Sequence, residues 1–94
     1  LSVFLFFFLS VQVKAQTDRN YVLAIQWVRM QEYDKAKDKK EKHAIAVKIA
    51  ESYLAFSETE KAETWYKKAV NLDVEPQTLF DYAMVLKQNE KYKP

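Results

Sequence analysis

The chain has no glycine and no cysteine, only two prolines and a single histidine. Each shortage excludes something. Tight hairpins and phosphate-cradling loops need glycine, whose missing Cβ permits positive φ and close backbone approach, so strands joined by short turns and a Gly-rich nucleotide loop are both disfavoured. Without cysteine there is no disulfide, no thiolate metal site and no attachment point for a lipid after the N-terminal apolar run. His43 stands alone, and one imidazole does not make a metal site; it is expected to be a partly exposed residue on a helix face. No sharp strand-to-helix elbow surrounds Ser52 or Ser57, so nothing marks a serine nucleophile. The chain is therefore expected to be non-enzymatic, with no catalytic, cofactor-binding or metal-binding residues.

Charge of one sign is also scarce. Fifteen Lys and Arg oppose thirteen Asp and Glu. The signs are interleaved, and a nucleic-acid surface would need a basic stripe. The strongest basic run, Lys35–Lys42, holds five lysines but also Asp38 and Glu41. It is expected to be a solvated helix end and connector.

Residues 1–13, LSVFLFFFLSVQV, carry no charge and four of the six phenylalanines. A spanning helix takes about 20 apolar residues, so this run is short for an anchor and fits the core of a secretory signal peptide. Val13 and Ala15 suit the positions that signal peptidase reads, which predicts cleavage after Ala15. The absence of an initiating Met and of a basic leader, together with an end at Pro94, reads as an N-terminal piece of a longer protein. The expected parts are a signal peptide over 1–15, a leading helix and Lys-rich connector over 16–42, and helical repeats over 43–94.

Beyond the apolar run the pattern is helical. Tyr21, Ala24, Ile25 and Val28 recur at i, i+3, i+4 and i+7. Ala46, Ile49, Ala50 and Tyr53 do the same, as do Ala62, Trp65, Tyr66 and Ala69, and then Leu79, Tyr82, Ala83 and Leu86. Each set marks one face of a helix. The spacing predicts a first helix from about Asp18 to Tyr33, a second over about 41–55, a third ending near Leu72, and a fourth with Pro76 in its first turn, where its missing N–H costs nothing. Ser57-Glu58-Thr59-Glu60 has the form of a capping box for the third helix. Asn89 is placed to close the fourth in the left-handed conformation. Trp27, Trp65, Tyr66 and Phe80, at helical spacing, are expected to be repeat core rather than a base-stacking set.

The helix pair recurs. Residues 43–76 form one unit, and the chain then begins a second, in which Ala83 takes the place that Ala50 holds in the first. Helix pairs of this length stack into solenoids. The segment 43–76 resembles a tetratricopeptide repeat: Ala50, Tyr53, Ala62, Tyr66 and Ala69 fall on the motif's small and aromatic positions, and Pro76 on its closing proline. The stretches AESYLAFSETEKAETWYKKAV and LFDYAMVLKQNEKY are similar to the N-terminal repeats of Bacteroidota outer-membrane-protein-A-like envelope proteins. That resemblance implies an all-α fold of antiparallel helix pairs, a tetratricopeptide-type solenoid preceded by a signal-peptide helix. Ala50, Tyr53, Ala62, Tyr66, Ala69 and Ala83 would pack the repeats.

The resemblance also implies a function. Such repeats bind partners on the concave face formed by the first helix of each pair, here Val47, Glu51 and Leu54, then Phe80, Met84, Lys87 and Gln88. Val47 and Glu51 replace the Lys and Asn of carboxylate-clamp members, so capture of a C-terminal carboxylate is not expected. The expected partner is a protein or peptide in the periplasm or at the outer membrane, with no nucleic acid and no metal. Membrane contact would come only through the signal peptide or domains beyond this sequence. The parent would be a peptidoglycan-tethered outer-membrane or secretion-associated protein; the alternative is a docking or regulatory domain of a secreted envelope enzyme.

Overall fold

The computed structural model describes the backbone of residues 2–90 and the side chains of residues 19–90. The described chain is all helical: α1 (Ser2–Lys35), α2 (Lys39–Ala55), α3 (Thr59–Leu72) and α4 (Pro76–Gln88). The apolar run and the expected cleavage position after Ala15 lie outside the residues described in side-chain detail. The first helix does not begin near Asp18 but runs unbroken from Ser2, since no Gly or Pro interrupts it. Among the described residues no helix is long and apolar enough to cross a membrane.

The Lys-rich segment is mostly helix rather than connector. Only Ala36–Asp38 separate α1 from α2, because Asp38 caps α2 slightly earlier than the apolar spacing predicts. Its carboxylate accepts from the Glu41 amide at 3.3 Å. A cap of this kind is worth about 1 kcal/mol. The capping signature lies in Asp38–Glu41, not in Ser57–Glu60.

Ser57 has a different task. Its φ is 59°, and a residue in the left-handed region cannot serve as the extended N-cap of a helix. It closes α2 instead. The Ser57 N–H donates to the Leu54 carbonyl and the Glu58 N–H to the Tyr53 carbonyl, both at 2.9 Å. These two bonds are the helix-ending motif that usually takes glycine. The short segment Phe56–Glu58 then suffices to reverse the chain into α3.

At the end of α4 the expected roles shift along the chain. Asn89 keeps φ −85°, and it is Glu90 that takes φ 60°. Asn89 is held by its side chain, whose Nδ2 donates to the Thr59 carbonyl at 3.1 Å and to Glu63 Oε1 at 2.9 Å. This ties the end of α4 to the start of α3. Pro76 stands in the first turn of α4 as expected, with Glu75 extended before it.

Each helix packs chiefly on its neighbour in sequence, α1 on α2, α2 on α3 and α3 on α4. The core cluster is Ala50, Ala62, Tyr66 and Val85, with Val47, Tyr53, Leu54, Trp65 and Tyr82 half-buried around it. Ala46, Ala50, Ala62 and Ala69 are wholly buried, so α2 and α3 approach closely and the Tyr66 ring, 1% exposed, fills the space beside them. Ala83 is exposed, against the packing role expected of it, because no described element lies over its side of α4. Trp27 (64% exposed) and Phe80 (61%) are likewise uncovered rather than core. Tyr33 packs edge-on against Trp65, with ring centroids 5.1 Å apart. Lys68 lies over both rings and Lys42 over Tyr33.

Candidate peptide-binding cleft

Between α2 and the start of α4 lies a cleft of about 610 Å³. Lys40, Ala44, Val47, Lys48 and Glu51 form a stripe along α2 at helical spacing, and Gln77 and Asp81 lie one turn apart on α4; all of them line the cleft. The 73–75 turn and Pro76 also line it.

His43 builds the wall of this cleft. It is only 4% exposed, not partly exposed as the sequence suggests. Nδ1 lies 2.8 Å from the Ala69 carbonyl oxygen, which can only accept, so Nδ1 carries a proton and donates it. Nε2 lies 3.1 Å from Thr78 Oγ1 and 3.2 Å from Glu75 Oε2. With the neutral ring, Nε2 accepts from the Thr78 hydroxyl; with the charged ring it donates to the Glu75 carboxylate. One side chain of α2 thereby fixes the last turn of α3 and the first turn of α4. The apolar pattern contains no signal for this, because a lone histidine between two apolar faces could as well point outward.

Tyr66 does not line the cleft but is buried in the core cluster with Ala50, Ala62 and Val85. Its phenol is pushed up to about 12, first by burial and then by the carboxylates of Asp81 and Glu51. Two cleft-lining acids from different helices therefore act on the same hydroxyl. Asp81 also accepts from Gln77 Nε2 at 3.0 Å.

The expected partner-binding residues divide. Val47 and Glu51 line the cleft. Leu54 is half-buried against the core cluster. Phe80 and Met84 (48% exposed) are open, as are Lys87 and Gln88, but none of the four lines the cleft. Gln77, Thr78 and Asp81 line it and are not in the expected set. Their signal is positional, since Gln77 and Asp81 each follow a cleft-lining residue of α2, Ala44 and Lys48, by 33 residues. Among the described residues no group of three His, Asp or Glu side chains is arranged to hold a metal ion.

Comparison of the chain with protein-family models, with curated proteins and with solved structures finds no match.

Proposed function

We propose that this chain is a non-catalytic interaction module built of tetratricopeptide-type helix pairs, and that it holds a peptide or helix of a partner protein in the α2–α4 cleft. The observation that carries the reading is the cleft itself. It lies between the first helices of two successive units, and α2 and α4 end at equivalent places in them, Ala55 and Gln88. The same spacing reaches back to the end of α1, where Tyr33 and, just beyond the helix, Ala36 precede Tyr66 and Ala69. A volume of about 610 Å³ lies in the range of sites that take ligands, enough for a few side chains of an extended segment.

The His43–Thr78 pair has the outline of a base beside a hydroxyl, yet it supports this reading rather than catalysis. Thr78 is only 2% exposed, so its oxygen is not open to a substrate. The group orienting Nδ1 is a backbone carbonyl rather than a carboxylate that would stabilise the imidazolium. The apolar run over 1–13 supports export, and the resemblance of the helical part to outer-membrane-protein-A-like envelope proteins is what suggests a place in a peptidoglycan-tethered parent.

Panning a random peptide library against the chain, then repeating the binding with Ala44→Trp, tests the reading. Ala44 is exposed and lines the cleft, so the indole fills it without disturbing the core. Selected peptides are expected to lose binding to the variant. Peptides that bind both forms equally would place the partner surface elsewhere.

A further inference from the structure

The cleft is not electrically neutral, and this selects among partners. Four carboxylates line it, Glu51, Asp73, Glu75 and Asp81, against two ammonium groups, Lys40 and Lys48. Glu75 lies 3.2 Å from His43 Nε2 and is bound by it only when the imidazole is charged. Glu51 and Asp81 come from α2 and α4, the two helices that flank the cleft, and both line it; the field of each also reaches the buried Tyr66 phenol. The Asp81 hydrogen bond is to a neutral amide and leaves its charge uncompensated. Ala44, Val47, Val74 and Pro76 supply apolar surface beside the acids.

Resting on the reading above, we infer that the occupant of the α2–α4 cleft is an extended, basic peptide segment, with a Lys or Arg side chain between Glu51 and Asp81. A long basic side chain matches both components, since its methylenes lie along apolar surface while its charged head reaches the carboxylates. An acidic segment would meet the carboxylate pair at close quarters and be repelled.

Two synthetic ten-residue peptides test this on the full chain: one with two lysines among alanine and leucine, and its counterpart with glutamates in place of the lysines. Binding is read by fluorescence anisotropy and located by amide chemical-shift changes in the ¹⁵N-labelled protein. The lysine peptide is expected to bind, to shift the amides of Val47, Glu51 and Asp81, and to weaken as salt is raised. Glu51→Gln and Asp81→Asn are each expected to weaken it by roughly two- to fivefold, as for loss of one partly exposed ion pair. Asp34→Asn, the same charge change on α1, leaves it unaffected, and circular dichroism checks that each variant stays helical. If the glutamate peptide shifts the cleft amides as well as the lysine peptide does, the basic preference is wrong and the cleft remains a binding site. If neither peptide shifts them, this inference and the binding role of the cleft fall together.

Discussion

Ser57 and Glu90, 33 residues apart, share one backbone conformation, with φ 59° and φ 60°. Both follow a helix end, and both donate their N–H to the carbonyl one tight turn earlier, Leu54 and Lys87, at 2.9 and 3.0 Å. Neither is glycine. The 33-residue spacing seen in the side chains is thus matched by one feature of the backbone. The left-handed conformation costs a non-glycine residue about 1–2 kcal/mol, and the fold tolerates it twice.

Ser57→Gly relieves that strain at one of the two sites. Part of the gain is offset by the greater freedom of glycine in the unfolded chain. The expected net effect is a stabilisation of about 0.5–1 kcal/mol. Urea unfolding followed by circular dichroism measures it, and a lower midpoint would contradict the role assigned to Ser57.

Ala62 is wholly buried where α3 meets α2. Ala62→Leu adds a branched side chain where no space exists, and is expected to destabilise by about 1–3 kcal/mol or to separate the pair. An unchanged melting temperature would show that α2 and α3 are less closely packed than described.

His43→Ala removes the donor to the Ala69 carbonyl and the partner of Thr78. Buried polar groups left without partners cost about 1–3 kcal/mol. A test specific to the network is the double variant with Thr78→Val, which removes one stranded group. The combined loss is expected to be smaller than the sum of the single losses. Strict additivity would mean that the Nε2–Oγ1 contact at 3.1 Å carries no energy.

Tyr66 makes stability fall at high pH. Its phenol ionises at about 12 in the folded chain, against 10.0 ordinarily. Below about pH 10 both states keep the proton and the group contributes no pH dependence. Between 10 and 12 the unfolded chain loses its proton first, so the unfolded state is favoured as pH rises. The urea midpoint is expected to drop between about pH 10 and pH 12, and Tyr66→Phe to flatten that part of the profile. An equal drop in the variant would assign the effect to other groups.

Helical class, the buried faces of α2 and α3 and the Pro76 start of α4 follow from residue order, because the helical period and proline's missing donor act locally. The faces expected of α1 and α4 do not, since Tyr21, Val28 and Leu79 are exposed while Gln26 and Thr78 are buried. Local rules also explain where the reading of helix ends goes astray. Ser57-Glu58-Thr59-Glu60 and Asp38-Lys39-Lys40-Glu41 each open on an oxygen side chain and close on a glutamate at capping-box spacing. Which one becomes a cap depends on the φ that the chain reversal imposes, and the short α2–α3 turn puts Ser57 in the left-handed region.

The rest was decided by what covers each face. Periodicity states that Ala50 and Ala83 belong to apolar stripes; only the presence of α3 over one, and of no described element over the other, makes the first buried and the second exposed. His43 is buried because α3 brings the Ala69 carbonyl and α4 brings Thr78 within reach of opposite ring nitrogens. The cleft brings Glu51 and Asp81, distant in sequence and on separate helices, to its two sides. A sequence determines the faces its helices present; how those faces meet depends on packing angles and turn lengths, and it is there that the cleft and its charge are made.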